Sequence, residues 1–396
     1  MNALEGIRVI DLTTSYSAPI GTMQLADFGA EVIKIERPYV GDGSRTWSPV
    51  VNGEGLSYVI MNRNKKSVAV NMKSEEGLEI IRELVRGADV VVENFRPGVV
   101  KRLGLDYESL CKIKPDIIYA SLSGYGQTGP DAKKGAFSNL AEAQSGLMSI
   151  TGFPDEEGGA PTGSGVAFGD SVAGMYLVQG IMYALFHHER TGEGQYIDIA
   201  MTDALIGLLQ HAVINTSVFG ENPPRVGNRD LSEYPYDTFL AKDGWCQLGN
   251  AKATDWTDFT LAIGRPDLAE REELKTPGGR WEHVNEIHDI VAEWASRRTR
   301  AEIEARFAEY GQLYSPICTI KEMMELPQTI HREMIVDMEY RGMKYKMQGI
   351  PLKLSKTPGS IRNAPPTLGE NTDEILRSIG YDDTKLAELR EKDIIQ

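Results

Sequence analysis

Apolar runs and helical patterns alternate through the first half of this chain, and that rhythm restricts the fold more than any other feature. GIRVIDLTTS (6–15) reads as a buried strand, APIGTMQLADFG (18–29) as a helix closed by glycine, and AEVIKIE (30–36) as a second strand. SEEGLEIIRELVRGA (74–88) is a capped helix leading into the strand DVVVEN (89–94), and ESLCKIKPD precedes IIYASLS (117–123). A core helix at 171–186, the turn RTGEGQ, the strand YIDIAM and the helix TDALIGLLQHAV complete the series. Strands separated by helices in this way pair in parallel. The expected fold class is α/β, a large domain built on an open, Rossmann-like parallel sheet.

Near residue 222 the character changes. NPPRVGNRDLSEYPYDTF is rich in turn formers and aromatics, KDGWCQLGNA suggests a short strand pair, and ATDWTDFTLAIG, VNEIHDIVAEWASR and TRAEIEARFAEYG are helical patterns. We expect the large domain over 1–205, a linker at 206–224, a smaller α+β domain over 225–328, and a return to the large domain over 329–396. Short strands near MEYRGMKYKMQGIPLKL and a helix in DEILRSIG belong to that return.

The formal net charge is −15, with 42 basic residues against 57 acidic ones, which argues against a nucleic-acid partner. MNALEGIRVIDL lacks the layout of a signal peptide, and the most apolar stretch, 172–186, is too short to span a bilayer, so no membrane role is expected. Cys111, Cys246 and Cys318 are scattered, without spacing for zinc or a redox pair, and the six histidines form no ligand pattern. A cytoplasmic protein without a structural metal is expected.

SGYGQTGP (123–130) contains a literal G-x-G-x-x-G after a strand. A dinucleotide fingerprint needs a helix directly after its glycines, to receive the pyrophosphate. Here PDAKKGAFSN follows, so the stretch reads as a glycine-rich loop. Ligands of open parallel sheets bind beyond the carboxyl ends of the strands. Those ends carry Thr13, Thr14, Ser15 and Tyr16, then Glu36 and Arg37, then Asn94, Phe95 and Arg96, with Lys73 and Arg102 nearby. Arg37, Lys73 and Arg102 suit phosphate groups. In GSGVAFGDSVAGMYL, Asp170 falls where a glycine-rich approach meets a helix. It reads either as a helix N-cap or as a nucleophile kept ionised by the helix dipole.

Taken together, GIRVIDLTTSYSAP, LADFGAEVIKIERP, NRNKKSVAVNMKSEEG, VVVENFRPGVVKRLGL, SLSGYGQTGP, GDSVAGMYLVQGIMYAL, RTGEGQYIDIAMTDA and APPTLGENTDEILRSIGY resemble the family III CoA-transferases. The resemblance is nearly continuous over 6–203, returns over about 345–392, and is thin between. It implies that Asp170 is the nucleophile. It implies coenzyme A contacts at Ser15, Tyr16, Ser17, Arg37, Val70, Met72, Lys73, Asn94, Phe95, Arg102 and Met201, and at Lys133 or Lys134. It places Tyr16 and Trp47 at the acyl group. It also implies that coenzyme A enters as acyl-CoA substrate with no tightly bound cofactor, that the other substrate is a carboxylic acid, and that the protein is an interlinked homodimer. The implied reaction passes through an aspartyl-acyl anhydride and an aspartyl-CoA thioester.

Two departures from the family pattern bear on the substrate. Relatives that act on formyl-CoA carry a glycine run where this chain reads RVGNRDLSEYPYDTF, with Tyr234, Pro235 and Tyr236. Relatives often have Tyr-Asp and then glutamine where this chain has Phe137, Ser138 and Glu142. Acids of three or more carbons are expected in place of formate and oxalate. An α-methylacyl-CoA racemase is the nearest alternative, but no histidine occurs before His187 to serve as its second acid/base group. A non-catalytic coenzyme A-binding subunit, with Asp170 only a cap, is the other.

Overall fold

The computed structural model describes residues 2–230, 232–250 and 255–396. The chain divides into two compact units: Met1–Leu147 with Gly163–Ile214 and His331–Gln396, and Met148–Thr162 with Asn215–Ile330.

In the first unit six strands form one parallel sheet: β1 (Arg8–Asp11), β2 (Glu31–Glu36), β3 (Lys66–Ala69), β4 (Val90–Glu93), β5 (Ile118–Ser123) and β6 (Tyr196–Ala200). Their order is β3-β2-β1-β4-β5-β6, so the direction of winding reverses between β1 and β4. Successive side chains of a strand point to opposite faces, and helices cover both faces of this sheet. Ile10, Ile33, Val68 and Val91 pack with α2 (Glu75–Arg86). Two C-terminal helices, Thr372–Ser378 and Asp383–Glu391, join that layer through Ile375, Leu376, Leu386 and Leu389. Val9, Val32, Val90 and Val92 pack with α1 (Ser17–Asp27) and with the long helix Phe168–Thr191. Local chemistry sets these helices: Ser74 caps α2 by accepting from Gly77 N, and Glu75 and Glu76 occupy its first turn. Among the described residues no helix is long and apolar enough to cross a membrane.

The second unit has a three-stranded antiparallel sheet, Leu313–Pro316 beside Gly244–Gly249 beside Tyr236–Ala241. Helices Trp256–Ala262, Val284–Ser296 and Arg300–Glu309 pack with it around Phe239, Leu248, Phe259, Ile287 and Phe307. Ala253 and Thr254, expected to open the first of these helices, lie outside the described residues. Tyr234, expected as acyl-site surface, is instead fully buried in this core, its ring edge-on to Trp281 at 6.1 Å. A large ring beside an apolar helix surface gains more from burial than from solvent.

Candidate active site

The reversal between β1 and β4 opens a crevice at their carboxyl ends, which is where a doubly wound sheet receives a ligand. Thr14 N donates to Asn94 Oδ1 (2.8 Å) and Asn94 Nδ2 donates to Thr14 O (2.7 Å), locking the two strand exits together. Phe95 N donates to Glu93 Oε2 (2.8 Å), which fixes the turn that presents the Phe95 ring.

The turn from β1 into α1 rests on buried charges. Lys34, wholly buried on β2, donates to Thr13 O (2.7 Å) and pairs with Asp42 (2.9 Å). Asp42 in turn accepts from Ser44 N (2.8 Å) and from Ser15 N (3.2 Å). Burial pulls the Lys34 ammonium down, but Asp42, Asp11 and Glu36 outweigh it and push it up to about 12. Ser15, held by this network, has φ of +71°, a left-handed conformation costly for a residue with a Cβ. That bend directs Tyr16 and Ser17 into the crevice.

Asp170 reaches the same place from α1's neighbour. Helices α3 (Val99–Leu103) and α4 (Ser138–Ser145) precede the long helix, α5, which runs Phe168–Thr191. Ala167 is its N-cap residue, without a side-chain cap, so the N-cap reading of Asp170 is corrected: Asp170 is the third residue of the helix and its carboxylate is not spent on capping. Glycines let α1 and α5 touch. A Cβ on Gly174 would lie 2.7 Å from Ser17 O, and one on Gly21 would lie 2.9 Å from Gly174 O. This close approach sets Ser17 and Tyr16 against Asp170. Burial pushes the Asp170 carboxyl up to about 6; a hydrogen bond from Ser17 opposes the shift and the charge of Glu142 adds to it. Burial, and then the charge of Asp170, also raise the Tyr16 phenol. Gly174→Ala should therefore cost about 1–3 kcal/mol in denaturant unfolding, because the added methyl overpacks the helix contact. It should also lower any activity of Asp170 by parting it from Ser17.

A cavity of about 450 Å³ unites most of the expected residues: Ser15, Tyr16, Ser17, Trp47, Asn94, Phe95, Lys134, Asp170 and Met201 all line it. Lys134, not Lys133, is among its lining residues, and Lys134 is paired to Asp131 at 2.8 Å. SGYGQTGP contributes through packing: a Cβ on Gly124 would lie 2.1 Å from the Ala136 Cβ, so glycine lets the loop close on the 135–137 wall. No helix follows its glycines directly, since α4 begins only at Ser138.

Other expected residues lie apart from this cavity. Arg37 and Lys73, both exposed, line a second concavity of about 470 Å³ with Tyr39 and Asn71. Arg102 is exposed on α3. Val70 is fully buried and bridges Ile395, so only its backbone could meet a ligand, and Met72 packs against the core. Sequence reasoning passed over Lys34, Asp42, Gly21 and Gly174. A lysine inside the apolar strand EVIKIE was the available signal for the first of these. Buried lysines require a partner.

Comparisons with known proteins bear on the family and the fold. The model of CoA-transferase family III matches residues 4–372. The chain belongs to that family. It is 37% identical over 389 residues to succinyl-CoA:glutarate CoA-transferase of Homo sapiens, covering 98% of this chain and 88% of the relative. It is 35% identical to formyl-CoA:oxalate CoA-transferase of Streptomyces coelicolor, covering 99% of each. A solved CAIB/BAIF family protein from Brucella suis superposes with a TM-score of 0.86 at 32% identity, over 96% of this chain and all of that one. As a family III member the chain is an enzyme, a CoA-transferase acting between acyl-CoA and acids.

Proposed function

We propose that this enzyme transfers coenzyme A through a covalent intermediate on Asp170. The observation that carries the reading is a desolvated carboxylate at the first turn of α5, facing the cavity at the reversal of the sheet. Asp170 attacks the thioester carbon, the C–S bond breaks, and coenzyme A leaves as thiolate with the electron pair. The thiolate then attacks the Asp170 carbonyl of the anhydride, expelling the donor acid as carboxylate and leaving an aspartyl-CoA thioester. The acceptor carboxylate repeats both steps in reverse. No net proton or electron is exchanged, and the thioester's energy stays in covalent form. Gly169 N donates to Ser138 Oγ (2.9 Å), so this N–H of the helix start is committed to α4 and is not aimed at an oxyanion. The cavity's lining residues include no histidine, which disfavours a racemase. Turnover of any acyl-CoA separates the enzyme from a binding-only subunit.

The basic concavity at Arg37 and Lys73, with Arg102, is proposed to hold the phosphates of coenzyme A, and Lys134 to meet the arm near the cavity. Alanine at Arg37, Lys73 or Arg102 should each weaken coenzyme A binding by about 1.5–3 kcal/mol, the range of a hydrogen bond to a charged group. Unchanged affinity by calorimetry in all three variants removes the phosphate site.

Tyr16, Trp47 and the exposed Phe137 put aromatic surface at the acyl end, while Tyr234 no longer supports that wall. Such surface favours a carbon skeleton, with about 0.8 kcal/mol available per buried methylene. We assign acids of three or more carbons, as in the succinyl-CoA and glutarate of the human relative's name. A mass-spectrometric screen of acyl-CoA donors against acids of increasing size tests this. Highest kcat/KM with formyl-CoA and oxalate overturns the size reading and leaves the transferase assignment intact.

A homodimer is the proposed assembly. Met175, Tyr183 and Phe186 of α5 are about 60% exposed, an apolar surface that a second copy would cover. Light scattering at one chain's mass across micromolar concentrations excludes it. Three free cysteines accord with the reducing cytoplasm.

A further inference from the structure

Glu142 is the one charged group on α4 that acts on Asp170, and its side chain is wholly buried. Both of its oxygens are engaged. Oε1 lies 3.1 Å from Ser138 Oγ, and Oε2 accepts from Ser164 N at 2.9 Å and lies 2.9 Å from Ser164 Oγ, a hydroxyl that is also 2.9 Å from Val166 O. Ser138 Oγ in turn accepts from Gly169 N, at the residue before Asp170. Ser164 lies in the stretch that leads into α5. One carboxylate thus grips the chain on both sides of the helix start, directly at Ser164 and through Ser138 at Gly169. Among the described residues no lysine or arginine forms an ion pair with it, so its charge is left to act on its surroundings.

We propose that Glu142 is a positioning residue for Asp170: it ties the approach to α5 onto α4 and holds a fixed negative charge against the nucleophile. This rests on the assignment of Asp170 as nucleophile. The other groups acting with Asp170 are neutral hydroxyls, Ser17 at the start of α1 and Tyr16 just before it, and Tyr16 is also hydrogen-bonded to Ser171. Arg96 and Lys134 are exposed at the cavity's edge, and Asp203, in the helix after β6, acts on Asp198. Repulsion between the two carboxylates exists only while Asp170 is free. In the anhydride the side chain at 170 is neutral because its charge has passed to the coenzyme A thiolate, and in the aspartyl-CoA thioester because that charge has left with the donor carboxylate. An interaction that raises the starting state and vanishes in the covalent states favours attack. The same charge keeps the carboxylate basic, so it attacks as a stronger nucleophile.

Glu142→Gln keeps the side chain's size and removes its charge. Protein labelled with 13C at the aspartate carboxyls reports the titration of Asp170 directly, the signal being assigned by its loss in Asp170→Asn. The midpoint should fall by about half a pH unit or more in Glu142→Gln, since a like charge has been removed. In the same variant the acid limb of kcat/KM for succinyl-CoA with glutarate should move the same way. Ser164→Ala leaves the charge in place and loosens the grip, so it should lower kcat without moving the midpoint. An Asp170 titration in Glu142→Gln that coincides with wild type overturns the proposal, whatever substrate the enzyme prefers. Should the glutamine variant not fold, Glu142→Asp withdraws the charge by one methylene, and an unmoved midpoint there is equally decisive. Full exchange activity in Asp170→Asn would instead sink the nucleophile assignment while leaving the titration result standing.

Discussion

Asp170→Asn should lose at least about a hundredfold in coenzyme A exchange, about 2.7 kcal/mol in the barrier, while still binding coenzyme A. An amide oxygen at the same place preserves shape but has neither the charge nor the basicity to open a thioester. Ser17, Tyr16 and the cavity wall remain, so affinity should change little. Because burial first, with Glu142 adding, pushes this carboxyl up to about 6, wild-type kcat/KM should fall as pH drops through that value. The stability sign is opposite to the catalytic one. An acid whose folded pKa is raised binds its proton more tightly in the folded state, so its ionised form costs stability above that pKa. At pH 8 the neutral asparagine should therefore leave the melting temperature equal or higher, which separates a chemical loss from an unfolding one. More than a hundredth of wild-type activity, in protein checked for deamidation, would show that Asp170 is not the nucleophile.

Lys34→Met should be the most damaging single change to the fold, at about 3–5 kcal/mol, because removing one member of a buried ion-pair network strands the others. Lys34 stands between Asp11 and Asp42, all three buried. Burial pushes Asp42 up, but Lys34 and Ser44 hold it well below the usual carboxylate range. Without the ammonium, Asp42 is a buried acid with no cation beside it, its hold on Ser15 N weakens, and Thr13 O loses its donor. The turn that aims Tyr16 and Ser17 loosens with them. Urea unfolding should show the loss, and calorimetry should show weaker coenzyme A binding in whatever fraction stays folded. A loss below about 1 kcal/mol would mean that the network relaxes around a methionine.

How much of this site could be read before folding differs by residue type. Ser15, Asn94 and Phe95 were legible because each follows a strand whose period was plain, and strand ends are where a parallel sheet binds ligands, whereas for Asp170 the pattern left a cap and a nucleophile open and only the family motif chose between them. Residues 148–162 fall with the second unit, which no local pattern announced. Tyr234 was misread since a tyrosine in a polar, turn-rich stretch can equally face a ligand or close a core. Glu142 was visible as an unusual residue, but its hold on Ser164 joins positions 22 residues apart and becomes apparent only in space.

The sequence by itself determined the parallel α/β class, most of the alternating strands and helices of the first half, and the motif set that marks the family. Those are properties of neighbours along the chain, where periodicity and caps act over a few residues. Tertiary structure alone decided that winding reverses between β1 and β4, that Gly21 and Gly174 let two helices meet, and that Lys34 carries the turn beneath Tyr16. It also separated the Asp170 cavity from the Arg37 and Lys73 concavity, and distinguished Lys134 from Lys133. Strand order, helix contact and the pairing of buried charges bring together residues distant in sequence, and their energies exist only once water has been excluded between them.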